Sequence, residues 1–137
     1  MLRWVLLVPL AIYAWYGIFA LGLYTNVYVE RNFCPPEDVV SGFCHNNEIQ
    51  MWLKIIRHAS VFLSAVAVVL VAAVVAPSNR KRVAWLSFLV GAITAMYMSL
   101  KTASISLLLS ALVGGIVGVL LIVWRVSKNP PNKALNN

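Results

Sequence analysis

The sequence predicts an all-α membrane protein: four transmembrane helices as two helical hairpins, with one disulfide-closed extracytoplasmic loop. Three observations carry that prediction. Of the 137 residues, 61% are apolar and 11% charged, against about 45–50% and about 25% in a soluble domain. The apolar residues gather into four long runs divided by short polar segments. All four acidic residues (Glu30, Glu37, Asp38 and Glu48) and both cysteines, Cys34 and Cys44, fall in one of those segments. A soluble fold with so few charges would have to cover its surface with Leu and Val, whereas lipid tails are as apolar as those side chains.

The four-helix domain is expected over residues 1–125, with spans at about 4–29, 51–76, 83–100 and 104–124. The first run, Trp4 to Val29, contains no charge and exceeds the roughly 20 residues needed to cross a hydrocarbon core of about 30 Å. Arg3 ahead of an apolar stretch also fits a secretory signal peptide. The run is longer than the usual h-region of about 7–15 residues, however, and carries bulky Trp15, Tyr16 and Phe19 in place of a small-residue cleavage site. An uncleaved anchor is therefore expected. Residues 30–50 form a polar loop stiffened by Pro35-Pro36 and turned at Ser41-Gly42. It lacks an Asn-x-Ser/Thr acceptor for glycosylation.

The second run, Met51 to Ala76, is free of charge from Ala59 onward and ends at Pro77. Arg80, Lys81 and Arg82 follow in the next turn. The third and fourth runs are separated only by Lys101, Thr102 and Ala103. A single helix from 83 to 124 would measure about 63 Å, more than any bilayer, so the chain must reverse near Lys101. Residues 126–137, with Lys128, Pro130-Pro131 and Lys133, have no apolar periodicity and are expected to be a disordered cytoplasmic tail.

Seven of the eleven basic residues (Arg3, Arg80, Lys81, Arg82, Arg125, Lys128 and Lys133) lie at one set of span ends, and Arg31, Lys54, Arg57 and Lys101 at the other. The positive-inside rule then predicts a multi-pass protein of the plasma (cell inner) membrane with both termini cytoplasmic. A disulfide in the outward loop agrees with that side. Trp4, Trp52, Trp85 and Trp124 lie near span ends, where an interfacial aromatic belt would place them. The net charge of +7 is spread in short clusters beside apolar runs, which excludes the basic arm or basic helix of a nucleic-acid-binding protein.

Candidate site residues are few. Cys34 and Cys44 are expected to form one structural disulfide. The competing function, a quinone-linked thiol exchanger of the four-helix type, requires a Cys-x-x-Cys pair, and Cys34 is followed by Pro35-Pro36-Glu37. Lys54, Arg57 and His58 occupy i, i+3 and i+4 and share one helix face, with Ser60 and Ser64 continuing near it. They are read as snorkelling side chains, as a tie to Glu30 or Glu48, or as a contact for an anion or a partner. Gly91-x-x-x-Ala95 and Gly114-x-x-x-Gly118 are small-residue patterns that permit close helix packing, within the chain or against a second one.

No nucleophile–base pair, phosphate loop, intramembrane carboxylate or metal-ligand set is visible in the sequence. The expected role is non-catalytic, with no cofactor and no metal: an accessory or assembly subunit embedded in the bilayer, packing against another membrane protein or against itself. A small homo-oligomeric transporter or channel, and a quinone-linked thiol-redox protein, are the two other functions of matching size.

Overall fold

The computed structural model describes residues 2–76, 79–102 and 104–128, at 2–5, 7 and 102 by their backbone alone. The described chain is almost wholly helical, with α1 at Leu2–Phe33, α2 at Asn47–Val75, α3 at Arg80–Thr102 and α4 at Ile105–Lys128. All four helices are long and apolar enough to cross a membrane. Between α1 and α2 lie a single 3-10 turn, Pro36–Asp38, and two short strands, β1 at Val39–Val40 and β2 at Phe43–Cys44. Cys34 and Cys44 are disulfide-bonded with Cα atoms 5.9 Å apart.

Each helix outruns its apolar run, and each extension has a local cause. α1 continues through Glu30 and Arg31 because nothing interrupts it before Pro35. A proline lacks the amide to extend a helix and biases the residue before it away from helical angles. α2 starts at Asn47 because Asn46 caps it, its Oδ1 accepting from the amides of Glu48 (3.0 Å) and Ile49 (3.4 Å). α3 starts at Arg80 because Asn79 turns the chain at φ 51° and its carbonyl accepts from the amides of Arg82 (2.8 Å) and Val83 (3.1 Å). α4 runs on through Lys128, so the tail expected from 126 begins no earlier than 129. Arg125 and Lys128 favour that last turn, where cations meet the negative end of the helix dipole. Lys128 Nζ also lies 4.3 Å from the centre of the Trp124 ring. The side chains of Arg3 and Trp4, and the expected tail from 129 with Lys133, lie outside what is described.

The connecting loop is a tight hairpin. Val39 pairs with Cys44 and Val40 with Phe43. Ser41 (φ 53°) and Gly42 (φ 84°) make the two-residue turn, in which both positions need positive φ and glycine supplies it without strain. The hairpin is fastened to the helices. Glu30 Oε1 accepts from the Cys44 amide (3.1 Å), and Gln50 Nε2 donates to the Cys44 carbonyl. Asn46 Nδ2 donates to Asp38 Oδ2 (2.8 Å).

α2 is the central helix. α1 packs on it along one side, while α4 and α3 pack on it and on each other. The α2–α4 seam is parallel and keeps one register. His58 bonds Ser110 across 52 positions, and the same offset places Gly114 on Phe62 and Gly118 on Val66. The buried core lies at the end away from the disulfide loop, where Val69 and Ala73 of α2 meet Ala84 of α3 and Val119 and Ile122 of α4. Ala72, Ala76 and Val83 extend it toward the α2–α3 connection. Most other large apolar side chains are exposed, Leu86, Ile93, Leu100, Leu109 and Leu120 among them.

Candidate functional site at the loop end

At the loop end the α2–α4 seam opens. A cavity of about 460 Å³ lies between the start of α2 and the start of α4. α2 contributes Gln50, Lys54, Arg57 and His58; α4 contributes Ser106 and its preceding residue Ser104. Among the described residues no acidic side chain lines it. Lys54, Arg57 and His58, expected on one helix face, do converge on one space. Ser60 does not continue that face. It turns to α1, where a Cβ added to Gly22 would collide with Ser60 Oγ. Ser64 is buried, its hydroxyl donating to the Val61 carbonyl (2.8 Å).

The orientation of His58 follows from a short relay. Ser110 Oγ stands 2.7 Å from His58 Nδ1 and 3.2 Å from the Ser106 carbonyl, so the hydroxyl links the imidazole to the first turn of α4. That leaves only Nε2 for any other partner. The link crosses the seam at the cavity floor and fixes the ring to the first turns of α4. Gln50 joins the cavity wall to the disulfide loop through its bond to Cys44.

The expected tie from the basic face to the loop carboxylates is not made. Among the described residues neither Lys54 nor Arg57 comes within 4.0 Å of a carboxylate oxygen. Glu30 fastens the loop through the Cys44 amide instead, because the hairpin brings that unpaired strand-edge N–H to the end of α1. Glu48 is exposed in the first turn of α2, where the helix dipole favours it.

The two small-residue patterns separate. Gly114 and Gly118 face α2, where an added Cβ on Gly114 would lie 2.5 Å from the Phe62 carbonyl oxygen and one on Gly118 3.0 Å from Val69 Cβ. Gly115, between them, meets the Phe88 ring of α3. Gly91 meets nothing within 4 Å, and Ala95 one turn on is half-buried. The sequence reading missed Gly22, Gln50 and Ser104. Gly22 belongs to no small-residue pattern that marks it out, and the role of Gln50 depends on where the hairpin places Cys44.

Cys44 is buried, with 1% of its surface exposed, and its sulfur is bonded to Cys34. Thiol exchange needs an attacking thiolate to reach a sulfur, and this bridge is covered on the Cys44 side. The bonded sulfurs are also unavailable as metal ligands beside His45, and no group of three His, Cys, Asp or Glu is assembled among the described residues.

Comparison with models of protein families, with curated proteins and with solved structures finds no match to this chain.

Proposed function

We propose that the protein is a non-catalytic subunit of a membrane assembly, held to its partner by the outer face of α1. The observation that carries this reading is the placement of Tyr16 and Tyr24. The covered and partly covered residues Ala11, Ala14, Ile18, Gly22, Thr25 and Val29 of α1 recur at intervals of three and four and make the side that packs on α2. Away from them, Tyr16 is 63% and Tyr24 69% exposed. Counted along the charge-free run Trp4 to Val29, Tyr16 lies within about 1 Å of the centre and Tyr24 about 11 Å from it at about 1.5 Å per residue, both inside a hydrocarbon core of about 30 Å. Tyrosines in contact with lipid are favoured at the interfaces, where the hydroxyl meets water. Among the described residues these two hydroxyls have no hydrogen-bond partner. Left against hydrocarbon, a bare hydroxyl is costly, and a neighbouring transmembrane helix with an acceptor removes that cost.

In this reading the four helices form two hairpins, α1–α2 and α3–α4, in the plasma membrane. Both termini are cytoplasmic, because most basic residues lie at that set of ends. Reporter fusions at Asn137 and within residues 35–44 test the orientation. The loop fusion is expected to report an extracytoplasmic site and the C-terminal fusion a cytoplasmic one; the reverse pattern refutes it.

Site-directed photo-crosslinking in intact membranes tests the subunit role. A photoreactive residue at position 16 or 24 is expected to capture one other polypeptide, while the same residue at Ile93, exposed on apolar α3, captures none. Capture of lipid alone at all three positions would sink the subunit reading. Capture of a second copy of this chain would favour a homo-oligomer, the arrangement a small transporter or channel requires.

A further inference from the structure

We propose that the cavity at the loop end is a binding site for a phosphate group. Three sources of positive potential converge there. Lys54 and Arg57 are like charges one turn apart, an arrangement that raises the energy of an isolated helix. Among the described residues neither has a carboxylate partner and no acidic side chain lines the cavity. The third source is the amino-terminal end of α4, which reaches the cavity at Ser104 and Ser106. There the first-turn amides point out of the helix and its dipole is positive.

Two independent features make this a built site rather than a group of surface cations. The His58–Ser110–Ser106 relay fixes one wall to the other. The Gln50–Cys44 bond ties the cavity wall to the disulfide-braced hairpin. At about 460 Å³ the space falls within the roughly 300–1,000 Å³ of small-molecule sites, large enough for a phosphate with its ester substituent. Arg57 suits the role because its planar guanidinium gives a phosphate two parallel hydrogen bonds, with Lys54 as a point charge beside it.

The height of the site in the bilayer favours a phospholipid headgroup as one source of that phosphate. The charge-free part of α2, Ala59 to Ala76, spans about 27 Å at about 1.5 Å per residue, close to the roughly 30 Å hydrocarbon thickness. Arg57 and His58 therefore sit at its boundary, level with lipid phosphates. A soluble phosphate reaching the cavity from the aqueous side is the other source, and the recognition chemistry is the same.

The test uses the full chain in non-ionic maltoside micelles, which carry no phosphate. The side-chain resonances of the two histidines are followed by NMR, His58 in the cavity wall and His45 in the loop as the internal control. Inorganic phosphate, or phosphatidylglycerol at a few molecules per protein, is titrated in separate arms at matched ionic strength. The expected result is a saturable shift of His58 and not of His45. A response to phosphatidylglycerol alone identifies the headgroup as the source; a response to both identifies a general phosphate site. K54Q/R57Q is expected to weaken the response by about tenfold or more, and R125Q/K128Q, at the far end, to leave it unchanged. The proposal is overturned if neither ligand moves His58 in the unmodified chain, a result that does not depend on any variant folding. Responses that K54Q/R57Q leaves at full strength would overturn it equally.

Discussion

Gly114→Ala is expected to destabilise the bundle, while Gly91→Ala leaves it unchanged or stabilises it. In an isolated helix the two substitutions are equivalent and favourable, because alanine exceeds glycine in helix propensity by about 1 kcal/mol. The surroundings reverse the sign at one position only. A Cβ at 114 would lie 2.5 Å from the Phe62 carbonyl oxygen and 3.1 Å from its Cα. Those are backbone atoms, so no rotamer change relieves the contact and α2 and α4 must part. Overpacking of this kind costs about 1–3 kcal/mol, enough to outweigh the propensity gain. Parting the seam would also stretch the His58–Ser110 bond, which keeps the same register one turn away. At 91 nothing lies within 4 Å, so only propensity acts. Thermal unfolding of the two variants in detergent, followed by circular dichroism, separates them. Equal midpoints would mean that α2 and α4 do not approach this closely.

Replacing both Cys34 and Cys44 with Ser is expected to cost roughly 3 kcal/mol, the loop-closure entropy that the bridge removes from the unfolded chain. The loss falls first on the hairpin. Cys44 is the residue through which the loop is fastened, its amide held by Glu30 and its carbonyl by Gln50. Without the bridge those two bonds must order the segment alone. Faster amide exchange at residues 39–46 should accompany the loss of stability, with the α2–α4 seam below Phe62 little affected. The bond itself is checked by mass spectrometry of the non-reduced chain, which should weigh about 2 Da less than the reduced form, the two hydrogens lost on oxidation. Two free thiols in freshly isolated membranes would contradict the prediction.

The cavity is legible in the sequence only in part. Lys54, Arg57 and His58 announce a shared face because i, i+3 and i+4 are neighbours on any helix. What they face is not readable from α2. Ser104 and Ser106 stand far along the chain, and only the seam brings them opposite. The pairing of Arg57 with Glu30 or Glu48 is a fair expectation from proximity in the chain. It fails because the hairpin presents the Cys44 amide to Glu30 first. Ser60 shows the limit of spacing arguments: close to His58 in the chain, it is turned to a different helix.

What the sequence determined by itself are the quantities that accumulate locally. Four apolar runs define four helices, because the transfer of each residue into hydrocarbon depends on its own side chain and the sum along about 20 residues decides the span. The Cys34–Cys44 bridge was equally readable, since two cysteines in one short loop have only each other. The tertiary structure alone decided which faces meet. Gly91-x-x-x-Ala95 and Gly114-x-x-x-Gly118 are indistinguishable as patterns, yet only the second is buried in a helix seam. Close approach is a property of two backbones at once, fixed by the register in which α2 and α4 lie together, and neither segment encodes that register without the other.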